Sequence, residues 1–198
     1  MVITIEDDLQ SLMELLWIRE AWQLNPQGDD LPPVLVDTPP ALDTTRRAAA
    51  PIAEWEGAWP RVWAHVLRHA GTLRDPDIFD RLHASGNGSD ERAALLRELF
   101  GPSWRDELGD EAITDGAQQW MQAQFERRIA RPPATLGEQP EHLSLEALIE
   151  AWRRGLTTIV EIPCTGTFTR RIGSHVMLVT ADTRGDPVRY SAALGEFR

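Results

Sequence analysis

The sequence predicts an α+β protein, with a helix-rich body and a small, mostly antiparallel C-terminal β-sheet. Two observations predict this class. Apolar residues recur at helical spacing through most of the chain, whereas β-branched and apolar residues form two short runs near its end, at 157–162 and 175–180. Residues 167–169 are a candidate for a third strand between these two runs.

The 198 residues fit a single domain that is large enough to bury its own core. The predicted helical body covers about 1–130. A proline-rich connection follows over 131–143, and a C-terminal helix with the small sheet covers 144–198. Further helices are predicted near 76–84, 90–100 and 114–130.

The composition is acidic. The chain carries 31 Asp and Glu residues against 20 Lys and Arg residues, a formal net charge of −11. All of the latter are arginine, a bias typical of bacterial proteins encoded by GC-rich genes. Because nucleic acids and cytoplasmic membrane surfaces are themselves negative, the overall charge disfavours both as partners.

The cysteine count and the first residues indicate the compartment. Cys164 is the only cysteine, which excludes an intramolecular disulfide. Residues 1–10 contain three acidic residues and no basic one, unlike a signal peptide, and the apolar runs are too short to cross a bilayer. We therefore expect a cytosolic protein.

The first predicted helix covers 5–24, with Thr4 as its N-cap. It is apolar on two faces, and one of them carries Leu15, Ile18 and Trp22. Such a helix is either central in the molecule or half covered by a partner subunit. The second possibility predicts a homo-oligomer in which this stripe contacts another copy of the chain.

A proline-rich arm covers 25–50, and Val34–Val36 within it has the composition of a short edge strand. Loops of this length are usually functional or wrapped over the body of the protein. The arm is therefore a second segment that is expected to contact a partner, either another copy of the chain or a different protein.

A long helical segment is predicted over 51–70, with a kink or a division into two helices at Pro60. It carries two patterns. Trp55, Trp59 and Trp63 share one face, a spacing that favours a buried core over a ligand cavity. His65 and His69 lie one turn apart, which is metal-ligand spacing.

The histidine pair can also be explained without a metal. Histidines on the flank of a helix commonly only form hydrogen bonds, and the glutamate of a metalloprotease motif is missing, because Val66 follows His65. A metal site on this helix is therefore kept only as an alternative.

Reactive residue types concentrate in 163–175. If the flanking strands pair as a hairpin, Cys164 and His175 meet at the mouth of the loop, and the histidine can activate the thiol as a nucleophile. If a middle strand makes a meander, the two residues lie at opposite ends of the sheet. Turn signals at Gly166 and Gly173 favour the meander.

The same segment is a candidate anion site. Arg170 and Arg171 can bind an anion together with the amides of Gly173 and Ser174. Successive side chains on a strand point to opposite faces, so this site requires a bulge or a turn at the arginine pair.

The sequence favours a cytosolic, non-enzymatic binding or protein-interaction protein, because no recognisable catalytic set is present. Two alternatives stay open. One is a small-molecule enzyme of unknown class with its site around 164–175, and the other is a metal-binding helical protein that uses His65 and His69. No cofactor is indicated.

Overall fold

A computed structural model of the chain describes residues 1–72, 75, 77–101, 103–130, 132 and 135–198. These residues form eleven α-helices and four β-strands. The strands are β1 (Thr4–Glu6), β2 (Thr158–Ile162), β3 (Thr169–Ile172) and β4 (Val176–Thr180). The helices are α1 (Gln10–Ala21), α2 (Thr44–Ala49), α3 (Ile52–Ala70), α4 (Ile78–Ala84), α5 (Asp90–Phe100), α6 (Arg105–Leu108), α7 (Asp115–Ala130), α8 (Pro140–Leu143), α9 (Leu145–Arg153), α10 (Ala181–Gly185) and α11 (Pro187–Glu196).

The predicted α+β class is confirmed, but the strand directions differ from the prediction. The sheet has the order β1-β2-β4-β3, in which β1, β2 and β4 are parallel and only β3 is antiparallel to its neighbour β4. After β2 the chain passes to the far edge of the sheet, runs back as β3 and then returns as β4 in the middle. The sheet is therefore mixed and mostly parallel, and it is neither the predicted hairpin nor the predicted meander.

The first strand lies where the sequence predicted the start of a helix. Thr4–Glu6 pairs in parallel with β2, with Ile5 opposite Ile159, and the helix begins only at Gln10. The run of β-branched residues from Val2 to Ile5 suits a strand. Its partner strand lies near the other end of the chain, so the neighbouring sequence contains no strand with which it could pair.

The sheet is covered on both faces. One face contributes Val160 and Leu178 to a core shared with α1, α3 and the segments around Trp104 and Ala112. The other face carries Ile159 and packs with α9 and α11 in a second core. All five residues of the central strand β4 are buried, as expected for a strand between two layers.

Helix α1 lies in the centre of the molecule, which excludes the predicted contact of its second face with another copy. Leu15 and Ile18 are completely buried and Trp22 is 2% exposed, all within the same chain. The indole Nε1 of Trp22 donates to the backbone oxygen of Ala112 at 2.7 Å. The stripe is therefore part of the internal core and is not available as the contact surface of a homo-oligomer.

The proline-rich arm wraps over its own body. The buried guanidinium of Arg19 on α1 donates to the backbone oxygens of Pro32 at 2.6 Å and Pro33 at 2.5 Å. Leu35 forms an isolated antiparallel bridge with Cys164 in place of the predicted edge strand. The arm is thus attached to α1 by Arg19 and to the residues that follow β2 by the bridge to Cys164.

The predicted proline-rich connection falls partly on residues 131, 133 and 134, which lie outside the described residues. Its remainder contains a 3₁₀ turn at Leu136–Glu138 and α8. Within the described part of the chain, no helix combines the length and the apolar character that crossing a membrane requires.

Candidate functional site

The structure does not bring Cys164 and His175 together. The backbone oxygen of His175 accepts hydrogen bonds from Thr157 and Thr158, at the start of β2. Cys164 follows the end of β2. A strand of this length spans roughly 17 Å, far beyond the reach of a nucleophile–base hydrogen bond.

The environment of the Cys164 thiol also opposes nucleophilic chemistry. The residue is completely buried, and burial raises the pKa of its thiol to about 12, although the nearby charge of Arg19 lowers it. A thiol in this state carries almost no thiolate near neutral pH, and the thiolate is the reactive form. Cys164 therefore packs as a small apolar residue.

The arginine pair on β3 does not form one anion site. Arg170 forms an ion pair with Asp30 of the arm at 3.3 Å. Arg171 bonds to the backbone oxygen of Gly173 at 2.9 Å and lies over the ring of Phe197 at 5.0 Å. No bulge interrupts β3, whose register with β4 is regular, so the two guanidinium groups point to opposite faces.

The histidines of α3 have separate surroundings. His65 is exposed, whereas His69 is half-buried and its Nε2 lies 3.2 Å from the backbone oxygen of Leu99. Because a carbonyl oxygen only accepts, Nε2 carries the hydrogen of this bond. Among the described residues, no group of three or more His, Cys, Asp or Glu side chains is arranged to hold a metal ion.

The three tryptophans of α3 belong to the core. Trp55, Trp59 and Trp63 are each at most 2% exposed, and the rings of Trp59 and Trp63 stack at 5.3 Å. Trp59 donates from its indole Nε1 to the backbone oxygen of Leu15 at 3.1 Å. These three side chains of α3 are therefore part of the core.

A cavity that the sequence did not predict lies at the edge of the sheet where β1, β2 and β4 all end. Sites in parallel sheets commonly occupy this edge, because the segments that follow the strands converge there. The cavity has a volume of about 380 Å³. We call it the strand-end cleft, and it is lined by Asp7, Asp8, Met13, Val36, Asp37, Met121, Gln124, Phe125, Arg127, Arg128, Glu161, Pro163, Ala181 and Asp182.

Two buried threonines hold the loop after β2 at this edge. The hydroxyl of Thr180 donates to the backbone oxygen of Gly166 at 2.7 Å, and the hydroxyl of Thr183 accepts from the amide of Phe168 at 3.2 Å. Asp182 accepts from the amide of Gly166 at 2.7 Å. These hydrogen bonds connect the loop after β2 to the end of β4 and fix the position of its backbone beside the cleft.

Ion pairs line the cleft. Arg128 bonds to Asp7 at 3.1 Å and to Asp8 at 2.7 Å, and Arg127 bonds to Asp37 at 2.5 Å. The hydrogen bond to Asp8 is the main cause that raises the pKa of Arg128. Five carboxylates and two guanidinium groups line the cavity, so its walls have a formal charge of −3.

The cleft also has an apolar wall and a free hydrogen-bond donor. Met13 and Met121 contribute apolar surface, and Phe125 stands at the cleft with 45% of its surface exposed. The amide nitrogen Nε2 of Gln124 is buried and has no hydrogen-bond partner among the described residues. A buried donor without a partner is costly to the fold.

Neither the protein-family models, nor the curated proteins, nor the solved structures that were compared with the chain include a match to it. The function is therefore inferred from the structure of the strand-end cleft and its surroundings.

Proposed function

We propose that this chain is a cytosolic, non-enzymatic binding protein and that the strand-end cleft takes a ligand that carries positive charge. One observation carries the proposal: a cavity at the converging ends of three parallel strands is lined by five carboxylates and only two guanidinium groups. The net charge of −11 has the same sign, so the field of the whole chain also attracts cations.

The existing ion pairs leave the cleft available to such a ligand. The side chains of Asp7 and Asp8 are 46% and 64% exposed, and Arg128 is 33% exposed. Ion pairs of this exposure contribute only about 0–1 kcal/mol each, so a cation can share these carboxylates at little cost. Glu161 is already held by Arg184 at 2.7 Å and takes less part in binding.

The geometry favours binding at this cleft over the other functions that the sequence left open. Cys164 and His175 are separated by the length of a strand, which argues against an enzyme whose active site uses this pair. His69 donates to a backbone carbonyl instead of facing His65 across a metal. A different partner molecule is preferred to a second copy, because the Leu15 stripe is internal.

An NMR titration of the full chain tests the proposal with two probes of opposite charge. Spermidine is a flexible cation, and glutarate is a flexible, shorter organic anion. At physiological ionic strength, spermidine is expected to shift the amide resonances of Asp8, Gln124 and Asp182, and glutarate is expected to leave them in place.

Asp29 and Asp30 provide the internal comparison, since they are an exposed pair of neighbouring acids outside the cleft. Larger shifts in the cleft than at this pair support a site. Equal shifts at both places mean that spermidine only follows the overall charge, and the proposal then fails. Shifts caused by glutarate in the cleft also overturn it.

A further inference from the structure

We propose that the partner of the strand-end cleft is a segment of a basic protein, with basic side chains between two apolar residues that fill two neighbouring pockets. This inference rests on the proposed function and deepens it. It commits to a polypeptide ligand, whereas the proposed function requires only a cation.

A second pocket lies directly beside the cleft. Its volume is about 390 Å³, close to the 380 Å³ of the first, and Asp8 lines both cavities. The short segment between β1 and α1 therefore separates two pockets of similar size, with a carboxylate on the divide. The apolar part of the second pocket consists of Leu9, Leu12, Val66, Ala70, Leu99 and Phe100.

The second pocket is built by a close approach of two helix ends. Gly101 ends α5 with φ at +73°, and a Cβ at this position would lie 2.2 Å from the ring of His69. Only glycine permits both the backbone conformation and this contact. His69 in turn donates to the backbone oxygen of Leu99, so the wall formed by the ends of α3 and α5 is fixed.

Each pocket has an exposed aromatic side chain. Phe125 in the first is 45% exposed and Phe100 in the second is 67% exposed. Aromatic residues in this position gain contact area when a partner covers them, and they are common centres of binding energy in protein interfaces.

The charges between the pockets select the partner. Asp7 and Asp8 are exposed at the divide, so a ligand that reaches both pockets passes over two carboxylates. Charge complementarity then favours lysine or arginine at the centre of the segment.

Two pockets that meet at a single residue suit an extended chain better than a compact small molecule. In an extended segment, side chains project at intervals of about 3.3 Å along the backbone and alternate between its two sides. Apolar residues before and after a basic centre can therefore enter the two pockets while the centre stays over the carboxylates. A polyamine supplies the charge but fills neither apolar pocket.

The test uses three capped peptides and calorimetric titration of the full chain. The probe is Phe-Ser-Lys-Ser-Lys-Ser-Phe, whose phenylalanine and lysine side chains all lie on one side of an extended chain. Its controls are Ala-Ser-Lys-Ser-Lys-Ser-Ala, without apolar residues at the ends, and Phe-Ser-Glu-Ser-Glu-Ser-Phe, with reversed charge. We expect the probe to bind at least about tenfold more tightly than either control, because both the apolar contacts and the charge contribute.

Matched variants locate the binding. Phe100→Ala and Phe125→Ala are each expected to weaken binding of the probe about fivefold or more and to leave the alanine control peptide unchanged. Phe79→Ala is the comparison, because Phe79 is 54% exposed and lines neither pocket. All three positions are exposed, so the variants keep the fold.

The outcomes separate this inference from the proposed function. If the two lysine peptides bind equally and at the cleft, the cleft binds cations but the partner segment is wrong. If the probe shifts the NMR resonances of residues in only one pocket, the proposal that the segment occupies both pockets is wrong. If neither lysine peptide binds in the cleft but spermidine does, this inference fails and the proposed function stands; if spermidine does not bind there either, both fail.

Discussion

Cys164 illustrates how the surroundings of a single residue decide its chemistry. Its neighbours come from the arm, through the bridge to Leu35, and from the end of β2. Burial keeps the thiol protonated, and His175 is at the other end of the strands, where it cannot act as a base for Cys164. Cys164, the only cysteine in the sequence, is thus part of the packed core.

Native Cys164 is expected to resist alkylation. Iodoacetamide at pH 8 should modify the folded chain far more slowly than the same chain unfolded in urea, because a thiol with a pKa of about 12 has little thiolate and no access to solvent. Mass spectrometry of the intact protein over time measures both rates. Equal rates with and without urea would contradict the burial described here.

At the scale of the elements, Arg19 of α1 holds the arm against the body of the protein. Arg19 is 7% exposed, bonds to two successive backbone oxygens of the arm and pairs with Glu20 at 2.8 Å. A planar guanidinium can satisfy these acceptors together, and the ammonium of lysine cannot.

Arg19→Lys is therefore expected to lower the free energy of unfolding by about 1–3 kcal/mol. It should also speed hydrogen exchange of the Val36 amide, which donates to Pro163 across the arm contact. Urea denaturation and exchange mass spectrometry measure the two effects. Arg46→Lys, at an exposed position on α2, is the control and should change neither.

A second element-level contact joins α8, β2 and α10. Arg184 bonds to Glu141 at 2.8 Å and to Glu161 at 2.7 Å, with all three side chains at most 23% exposed. Tyr190 is buried and donates its hydroxyl to Glu141 at 3.2 Å. One guanidinium thus holds two carboxylates from distant parts of the chain.

The pKa of Glu141 links this contact to pH. Burial raises the pKa of this carboxyl, but the hydrogen bond and charge of Arg184 outweigh burial and hold the pKa below its ordinary value of 4.5. Because the pKa is lower in the folded state, the contact stabilises the fold above about pH 4.5, and this contribution is lost as the pH falls through the folded pKa.

Arg184→Met should destabilise the protein by about 1–3 kcal/mol at pH 7, and its stability should fall less steeply on acidification below pH 4.5. Thermal unfolding across this pH range measures both. Arg153→Met is the control, because Arg153 and Glu150 form a pair that is at least 60% exposed and worth little. A similar loss in both variants would contradict the bridging role.

Much of the element pattern was predictable from local sequence. The expected strands at 157–162 and 175–180 match β2 and β4. The helical segment expected over 51–70 matches α3, which is assigned as one helix through Pro60 and is not divided into two. Strand direction was not predictable, since it depends on β1 pairing with β2 from the opposite end of the chain. A run of β-branched residues at 2–5 is the local signal that could have identified β1.

The cleft was harder to predict than the elements around it. Its carboxylates follow different strands or lie in the arm, and the sequence contains 31 acidic residues without a spacing that singles these out. Only the parallel pairing of β1, β2 and β4 brings Asp7 and Asp182 to one edge. Had β1 been recognised, Asp7 and Asp8 directly after it would have been candidates.

At the scale of the whole molecule, overall charge and local structure act together. The charge of −11 attracts any cation weakly and from all sides, whereas the strand-end cleft places carboxylates around a cavity with apolar walls. A specific site must therefore bind more tightly than the rest of an equally acidic surface does. This difference is what separates the proposed function from a general effect of charge.

Two double variants that change the charge equally measure this difference most directly. Asp7→Asn/Asp8→Asn removes two carboxylates from the cleft, and Asp29→Asn/Asp30→Asn removes two from the arm, where Asp30 also pairs with an arginine. Calorimetric titration with spermidine should show binding about five- to tenfold weaker for the first variant and changed by less than about twofold for the second. Equal losses in the two variants would contradict a cation site in the cleft.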